Sequence, residues 1–202
     1  MENQTIDKSQ DLAQLQLDLI KKRKSPVAFS DQEVTKDQLE QLFEAARWAA
    51  SCFNEQPWRF LVARKEQEVL YKKVLNGINL HNQTWAQNAP VLMLTFAKKT
   101  FERNGKPNLH YMHDLGLAVG NMSAQATAMD LYLHQMAGIV RENIQADFDI
   151  PDDFEIVSAI ALGYRQDIEE VPEELKVREM KERTRKPLTE FVFDKSWNES
   201  SF

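Results

Sequence analysis

Two nearly continuous apolar segments constrain the fold of this chain more than any other feature. They are Pro90–Ala97 (PVLMLTFA) and Ile156–Tyr164 (IVSAIALGY). Strands that are buried on both faces have unbroken hydrophobic sequences, because neither face meets water. Between them, 110–134 is a long and largely apolar stretch that predicts a central buried helix. We therefore expect a three-layer α+β domain, with helices covering a central sheet.

Weaker periodic patterns predict the elements around this centre. Thr35-x-x-Gln38 forms a capping box, in which the hydroxyl and the amide each satisfy a backbone N–H at a helix start. Pro26 ends the preceding helix, because the residue before a proline is disfavoured in the helical region. The predicted elements are helices at 9–22, from Thr35 to about Ala50, at about Glu66–Leu75 and from Pro172 to before Arg185, and a strand at Arg59–Lys65.

The last segment, Thr189–Phe202, carries several large apolar side chains, including Phe191, Phe193 and Trp197. Leaving such side chains in water is unfavourable, so we expect this C-terminal arm to pack on a partner subunit. No internal repeat or flexible linker interrupts the chain. Its 202 residues suit one domain, which we expect to span 1–202.

Composition excludes several functional classes. The 25 basic and 31 acidic residues give a net charge of −6, which argues against nucleic-acid binding. One cysteine, Cys52, allows neither an intramolecular disulfide nor an all-cysteine metal site. No GxGxxG or GxxxxGK[ST] motif is present. With no signal-peptide pattern and no apolar run near ~18 residues, we expect a cytoplasmic protein without membrane association.

Three polar clusters could bind a small molecule. Arg23-Lys24-Ser25 offers two cations and a hydroxyl, a combination suited to phosphate. Arg183 and Arg185 could join the same phosphate if the two ends of the chain converge. The segment Ser51–Trp58 (SCFNEQPW) offers two carboxamides, which can hydrogen-bond to the edge of a flavin pyrimidine. Each cluster also has a simpler explanation: solvated helix ends for the basic ones and an ordinary turn for the third.

Taken together, these clusters resemble the motifs of the FMN-dependent nitroreductase family. The segments Lys22–Ser25 (KRKS) and Ala45–Phe60 (AARWAASCFNEQPWRF) are similar to its two N-terminal motifs. Three later segments are similar to its later motifs in the same order: His134–Gly138 (HQMAG), Ala161–Tyr164 (ALGY) and Arg185–Leu188 (RKPL). The similarity extends over about 15–195.

This resemblance implies a nitroreductase-like fold with a mixed central sheet, a homodimer and FMN at the subunit interface. It places Arg23, Lys24, Ser25, Arg183 and Arg185 at the phosphate and ribityl side of FMN. Ser51, Asn54 and Gln56 would approach from the other subunit. The backbone of Met136, Ala137 and Gly138 would lie at the flavin ring, where Gly138 permits close approach. Phe53 would contact the substrate.

The resemblance further implies an NAD(P)H-dependent oxidoreductase with a ping-pong mechanism. Nitroaromatic compounds, quinones or conjugated carbonyls would be the acceptors. The flavin carries the redox chemistry, so no side chain is assigned an acid–base role. Two positions depart from the family pattern. Val27 replaces a basic residue near flavin N1 and O2, and Ala50 replaces a proline before the serine.

Several alternatives remain open from the sequence. Because Val27 removes a cation, the chain could be an FMN carrier or sensor without efficient turnover. His110 and His113 could instead belong to a metal-dependent hydrolase, although a metal site needs about three protein ligands. Cys52 is expected to be a passive loop residue. Gly116-x-x-x-Gly120 is expected to mark close helix packing, for which the dimer seam is one place.

Overall fold

A computed structural model describes residues 8–202, which form both helices and strands. The helices are α1 (Lys8–Lys22), α2 (Lys36–Arg47), α3 (Glu68–Asn76), α4 (Leu80–Ala86), α5 (Tyr111–Ala128), α6 (Arg141–Phe148) and α7 (Glu173–Met180). The strands are β1 (Trp58–Arg64), β2 (Val91–Lys98), β3 (Tyr132–Met136) and β4 (Phe154–Gly163). Short 3-10 turns lie at Cys52–Asn54 and Leu188–Glu190.

The two apolar segments are neighbours at the centre of the sheet, whose strand order is β1-β2-β4-β3. Leu94 of β2 pairs with Ala159 of β4, and nearly all of β2 is buried. The expectation of central strands buried on both faces is therefore confirmed. Every described strand pair is antiparallel, where the resemblance implied a mixed sheet. The connections between adjacent strands contain α3 and α4, and then α6, and each returns the chain in the opposite direction.

Alternate residues of β2 pack into two separate cores. Val91 and Met93 belong to the core formed with α2 and α5. Leu92 and Leu94 belong to the core formed with α3, α4 and α6. Successive side chains of a strand point to opposite faces, so this division places helices on both sides of the sheet. The three-layer α+β prediction is confirmed.

The predicted helix over 110–134 is too long, because the chain turns sharply after α5. Asp130 adopts a left-handed backbone conformation (φ 57°), and the Leu131 N–H donates to the Ala126 carbonyl at 2.8 Å. The chain then enters β3, so His134 and Met136 lie in a strand and not in a loop after the central helix. Apolar residues continue through both elements, and periodicity alone does not separate a buried strand from a buried helix.

Other predictions differ from the structure mainly at element ends. The capping box at Thr35 and Gln38 is present, with reciprocal hydrogen bonds at 3.2 and 3.0 Å. Its helix ends at Arg47, before the predicted Ala50. Helices α4 and α6 were not predicted, since each spans fewer than nine residues and lacks a clear apolar face. Helix α7 ends at Met180, and an extended segment at 181–187 follows.

The exposed side of α5 carries both glycines of the GxxxG pattern. No atom lies within 4 Å of a Cβ placed on Gly116 or Gly120. The close packing predicted there is therefore absent within one chain, and packing between subunits stays a prediction. Within 8–202, no helix combines the length and the apolar character needed to span a bilayer.

Leu94 provides a test of the core on the side of α3, α4 and α6. Its side chain is fully buried, so Leu94→Ala should lower the free energy of unfolding by about 2–5 kcal/mol. Val69→Ala removes an exposed side chain from α3 and should change it by less than about 0.5 kcal/mol. Urea unfolding followed by circular dichroism measures both. Similar losses in the two variants would contradict the burial described here.

Candidate functional site

A segment near each end of the chain lines a shared basic cavity of about 360 Å³. The N-terminal side contributes the loop after α1, and the C-terminal side contributes the end of α7 and the segment that follows. The lining residues are Arg23, Lys24, Ser25, Pro26, Arg178, Glu179, Lys181, Glu182, Arg183, Thr184 and Arg185. The structure thus brings together both basic clusters that the sequence suggested could share a phosphate.

A buried carboxylate holds the two sides of this cavity together. Glu179 is only 6% exposed, and its Oε2 accepts the backbone N–H of Val27 at 2.9 Å. Its Oε1 lies 3.0 and 2.9 Å from two guanidinium nitrogens of Arg165. Because 152 residues separate Val27 from Glu179, these bonds position α7 against the loop after α1.

Guanidinium groups crowd the mouth of the cavity. Arg183 donates hydrogen bonds to the carbonyls of Lys21 and Arg23, and Arg23 Nη1 donates to Ser25 Oγ at 3.1 Å. Burial lowers the pKa of Arg23, and the neighbouring charges of Arg183 and Arg185 lower it further. Because like charges at short range repel, an anion bound here would reduce the repulsion among these guanidinium groups.

Aromatic rings lie beneath the cavity, next to Pro26. His134 Nδ1 donates to the Pro26 carbonyl at 2.7 Å, which assigns the ring proton to that nitrogen because a carbonyl can only accept. The centre of the Trp85 ring lies 4.5 Å from that of His134 and 6.4 Å from that of Phe29, which is stacked on it. The Trp85 indole Nε1 is buried, and no other residue of 8–202 accepts a hydrogen bond from it.

The segment after β3 lies against α4. The Gly138 carbonyl accepts the Asn79 N–H at 2.9 Å, and a Cβ on Gly138 would lie 2.2 Å from Asn79 Nδ2 and 2.8 Å from Asn82 Nδ2. A larger residue at this position would require the Asn79 and Asn82 side chains to move. The backbone N–H of Gly138 makes no hydrogen bond to another residue of 8–202. Met136 is buried in β3, while Ala137 is exposed.

The loop from Ser51 to Trp58 has an unusual backbone. Phe53, Asn54 and Gln56 adopt left-handed conformations, with φ of 53°, 58° and 51°. Outside glycine, such conformations cost about 1–2 kcal/mol per residue, and local hydrogen bonds retain them here. Ser51 Oγ accepts the Gln56 N–H at 3.0 Å, and Gln56 Nε2 donates to Asn54 Oδ1 at 3.1 Å. Strain that is held in this way is characteristic of functional loops.

Phe53 projects from this loop and is 70% exposed. The guanidinium of Arg103 lies 4.2 Å from its ring centre, and Phe101 packs edge-on at 5.8 Å. Phe53, Asn54 and Gln56 line a second cavity, which shares no residue with the basic cavity. Within 8–202 the two groups line different cavities, and their meeting across two copies stays a prediction.

The two departures from the family pattern differ in their surroundings. Val27 is 3% exposed and packs in the core, so it presents no side chain to the basic cavity. Ala50 lies at the surface, beside Ser51 and Cys52.

His113 Nδ1 lies 3.2 Å from the buried carboxylate of Asp114, which also accepts the Cys52 N–H. In 8–202, no three His, Cys, Asp or Glu side chains converge on one point.

Sequence reasoning missed the side chains that support the basic cavity. Arg178 and Glu179 belong to a charged helix that resembles a solvated one, and only the long-range contact to Val27 distinguishes Glu179. Trp85 carried no signal beyond its type, and His134 was noted only as the first residue of the HQMAG segment. The chemistry of the site suits FMN: a cationic cavity for a phosphate, and a backbone N–H at Gly138, without a partner in 8–202, for a polar ring atom.

His134 makes folding stability depend on pH. Burial is the main cause that lowers its pKa below the usual 6.5, and Arg178 adds to the effect. The unfolded chain therefore binds this proton more readily, so stability is full above pH 6.5 and falls as the pH drops toward the folded-state pKa. Urea unfolding should show less stability loss between pH 7.5 and 5.5 in His134→Gln than in the wild type. His81→Gln controls for removing an imidazole from the surface, and equal losses in wild type and His134→Gln would contradict this prediction.

Comparison with known proteins identifies the family. Residues 20–164 match the Nitroreductase family. An Archaeoglobus fulgidus protein named "Putative NADH dehydrogenase/NAD(P)H nitroreductase" is 26% identical over 155 residues, with 75% of this chain and 86% of that protein covered. A crystal structure of an oxidoreductase containing FMN is 31% identical, with a TM-score of 0.82 and coverage of 90% and 92%. A nitroreductase family protein from Clostridium difficile is 26% identical, with a TM-score of 0.68 and coverage of 89% and 98%. The chain belongs to the nitroreductase family.

Proposed function

We propose that this enzyme is an FMN-dependent oxidoreductase that takes electrons from NAD(P)H and passes them to nitroaromatic, quinone or conjugated carbonyl acceptors. The observation that carries the proposal is the basic cavity where both ends of the chain converge in a nitroreductase fold. A similar protein of known structure contains FMN, and a similar curated protein is named for NAD(P)H. Bound FMN would supply the electron transfer, and reductant and acceptor would use one site in turn, by a ping-pong mechanism.

In this proposal, each cluster of the site binds one part of the cofactor. Arg23, Lys24 and Ser25 hold the phosphate and the ribityl chain, together with Arg183 and Arg185. The free N–H of Gly138, with Met136 and Ala137 beside it, faces the flavin ring. Ser51, Asn54 and Gln56 of a second copy complete the site, and its Phe53 contacts the substrate. The side chains thus bind and orient the reactants, and none serves as an acid or base.

A homodimer is part of the same proposal. Large apolar side chains are exposed on α1, on α5 and on the C-terminal arm. They include Leu12, Leu15, Ile20, Met112, Leu117, Phe191 and Trp197. An exposed apolar surface of this extent favours association, and a second copy would also bring the Ser51–Trp58 loop to the basic cavity. We place the dimer in the cytoplasm.

An FMN carrier or sensor is the second candidate, and the burial of Val27 favours it. Without a cation at that position, FMN could bind and yet be reduced too slowly for turnover. Absorption spectra of the purified protein, recorded without air before and after addition of NADH or NADPH, distinguish the two functions. Rapid loss of the yellow flavin absorbance on addition of NADH or NADPH, and its return when a quinone is added, supports the oxidoreductase. Yellow colour that persists after the addition of NADH or NADPH supports the carrier. Protein that is colourless and takes up no added FMN overturns both.

Arg185 provides a test of the phosphate site, because within 8–202 its side chain bonds only to the neighbouring Thr184 carbonyl. A charge-assisted hydrogen bond contributes about 1.5–3 kcal/mol, so Arg185→Gln should weaken FMN binding by about 10- to 100-fold. The adjacent Lys186→Gln removes a charge that pairs with Glu190 outside the cavity and should have less than about a threefold effect. Quenching of FMN fluorescence measures both affinities. Equal effects would exclude a specific phosphate contact.

Leu117 provides a test of the dimer. The wild type should sediment at twice the 23.5 kDa of the chain. Leu117→Glu places a charge on the exposed side of α5 and should shift the protein toward monomer, since burying an unpaired charge is unfavourable. Its FMN affinity should fall at the same time, because half of the site comes from the second copy. Val69→Glu, on exposed α3, should leave the wild-type mass unchanged; a monomeric wild type would contradict the proposal.

A further inference from the structure

We propose that Asp114 is a positioning residue, which fixes the Ser51–Trp58 loop against α5 so that the loop can reach FMN bound by a second copy. The inference rests on the proposed function, which places the carboxamides of Asn54 and Gln56 at that FMN. It begins from a buried carboxylate that takes no part in the basic cavity.

The carboxylate of Asp114 is buried at the start of α5. It is only 1% exposed, although it lies in the first turn of the helix. Its Oδ2 accepts the Cys52 N–H at 3.0 Å, and its Oδ1 lies 3.2 Å from His113 Nδ1. Burying a carboxylate is unfavourable unless hydrogen bonds compensate. The contact with Cys52 therefore stabilises Asp114 and the loop together.

Asp114 makes the hydrogen bond that joins the first half of the loop to another part of the fold. Within 8–202, the other hydrogen bonds of residues 51–54 stay inside the loop. The Asn54 N–H donates to the Ser51 carbonyl at 3.0 Å, and the side chains of Ser51 and Asn54 both bond to Gln56. Such internal bonds define the shape of the loop, and the Asp114 contact defines its place on the protein.

The second half of the loop is held from the other side. The Pro57 carbonyl accepts the Lys98 N–H at 2.9 Å, and the Glu55 side chain accepts a backbone N–H from the turn after β2. The left-handed residues Phe53 and Asn54 lie between these contacts and the one at Asp114. A strained conformation persists only where its surroundings hold it, so the loss of one attachment would release these two residues.

Helix α5 also carries a surface that the proposed dimer uses. Leu117 lies one turn after Asp114 and is 39% exposed. A cavity of about 230 Å³ has Leu117, Asp114, Ser51 and Cys52 in its lining, so the start of the loop adjoins this surface. One helix would therefore set both the contact with the second copy and the position from which the loop reaches its FMN.

The test measures FMN affinity by fluorescence quenching in two matched variants. Asp114→Asn keeps an oxygen that can accept the Cys52 N–H, whereas Asp114→Leu has a similar shape and no acceptor. Asp114→Leu should weaken FMN binding about tenfold, and Asp114→Asn less than about threefold. Leu94→Ala, which destabilises the core away from the loop, should bind FMN as the wild type does at a temperature where it is folded.

A second comparison separates positioning from a general effect on the structure. Both Asp114 variants are also made in the background Asn54→Ala/Gln56→Ala, where the loop has no carboxamides to position. Asp114→Leu should then weaken FMN binding less than about threefold, because substitutions that act through one contact are not additive. A further tenfold loss in that background overturns the inference, as does equal weakening by the Asn and Leu variants.

Asp114→Ser decides the matter if the Leu variant does not fold. Its hydroxyl ends one bond short of the carboxylate oxygens, so it should also weaken FMN binding about tenfold. FMN that binds to the folded Leu or Ser variant with wild-type affinity overturns this inference alone. A wild type that binds no FMN overturns the proposed function as well.

Discussion

The candidate site depends on the hydrogen bonds and the ion pair of the buried Glu179 carboxylate. This carboxylate joins the first turn after α1 to the last helix of the chain, through Val27 and Arg165. Removing one partner of a buried ion pair costs about 3–5 kcal/mol, because the remaining charge has no compensation. The same contact that secures the fold therefore also fixes the distance between the two basic clusters. Folding stability and ligand binding therefore both depend on Glu179.

Around this anchor, the arrangement of the site suits the proposal that a bound anion and a second copy of the chain complete it. The guanidinium groups of Arg23, Arg183 and Arg185 repel one another until an anion lies between them. The strained loop at Phe53 and Asn54 faces a different cavity, and its two carboxamides bond to each other. A single folded chain thus retains charge repulsion in the basic cavity and backbone strain in the loop. Anion binding and association with a second copy would offset these costs.

The sequence predicted those parts of the molecule whose signals are local or strongly apolar. The capping box at Thr35 and the buried runs of β2 and β4 are local patterns, and they appear where expected. The turn at Asp130 was missed, because apolar residues on both sides hide the change from helix to strand. The roles of Arg178 and Glu179 could not be predicted, since they depend on contacts with residues more than a hundred positions away.

The extended segment after α7 has a consequence for the lifetime of the protein in a cell. Arg183 attaches this exposed stretch to the carbonyls of Lys21 and Arg23, and few other contacts hold it. A molecule that bridges both sides stabilises the attached state by mass action, so detachment becomes rarer as the ligand concentration rises. Proteases cleave chains that have locally opened. Degradation would therefore begin at this segment, and the abundance of the protein would follow the supply of its ligand.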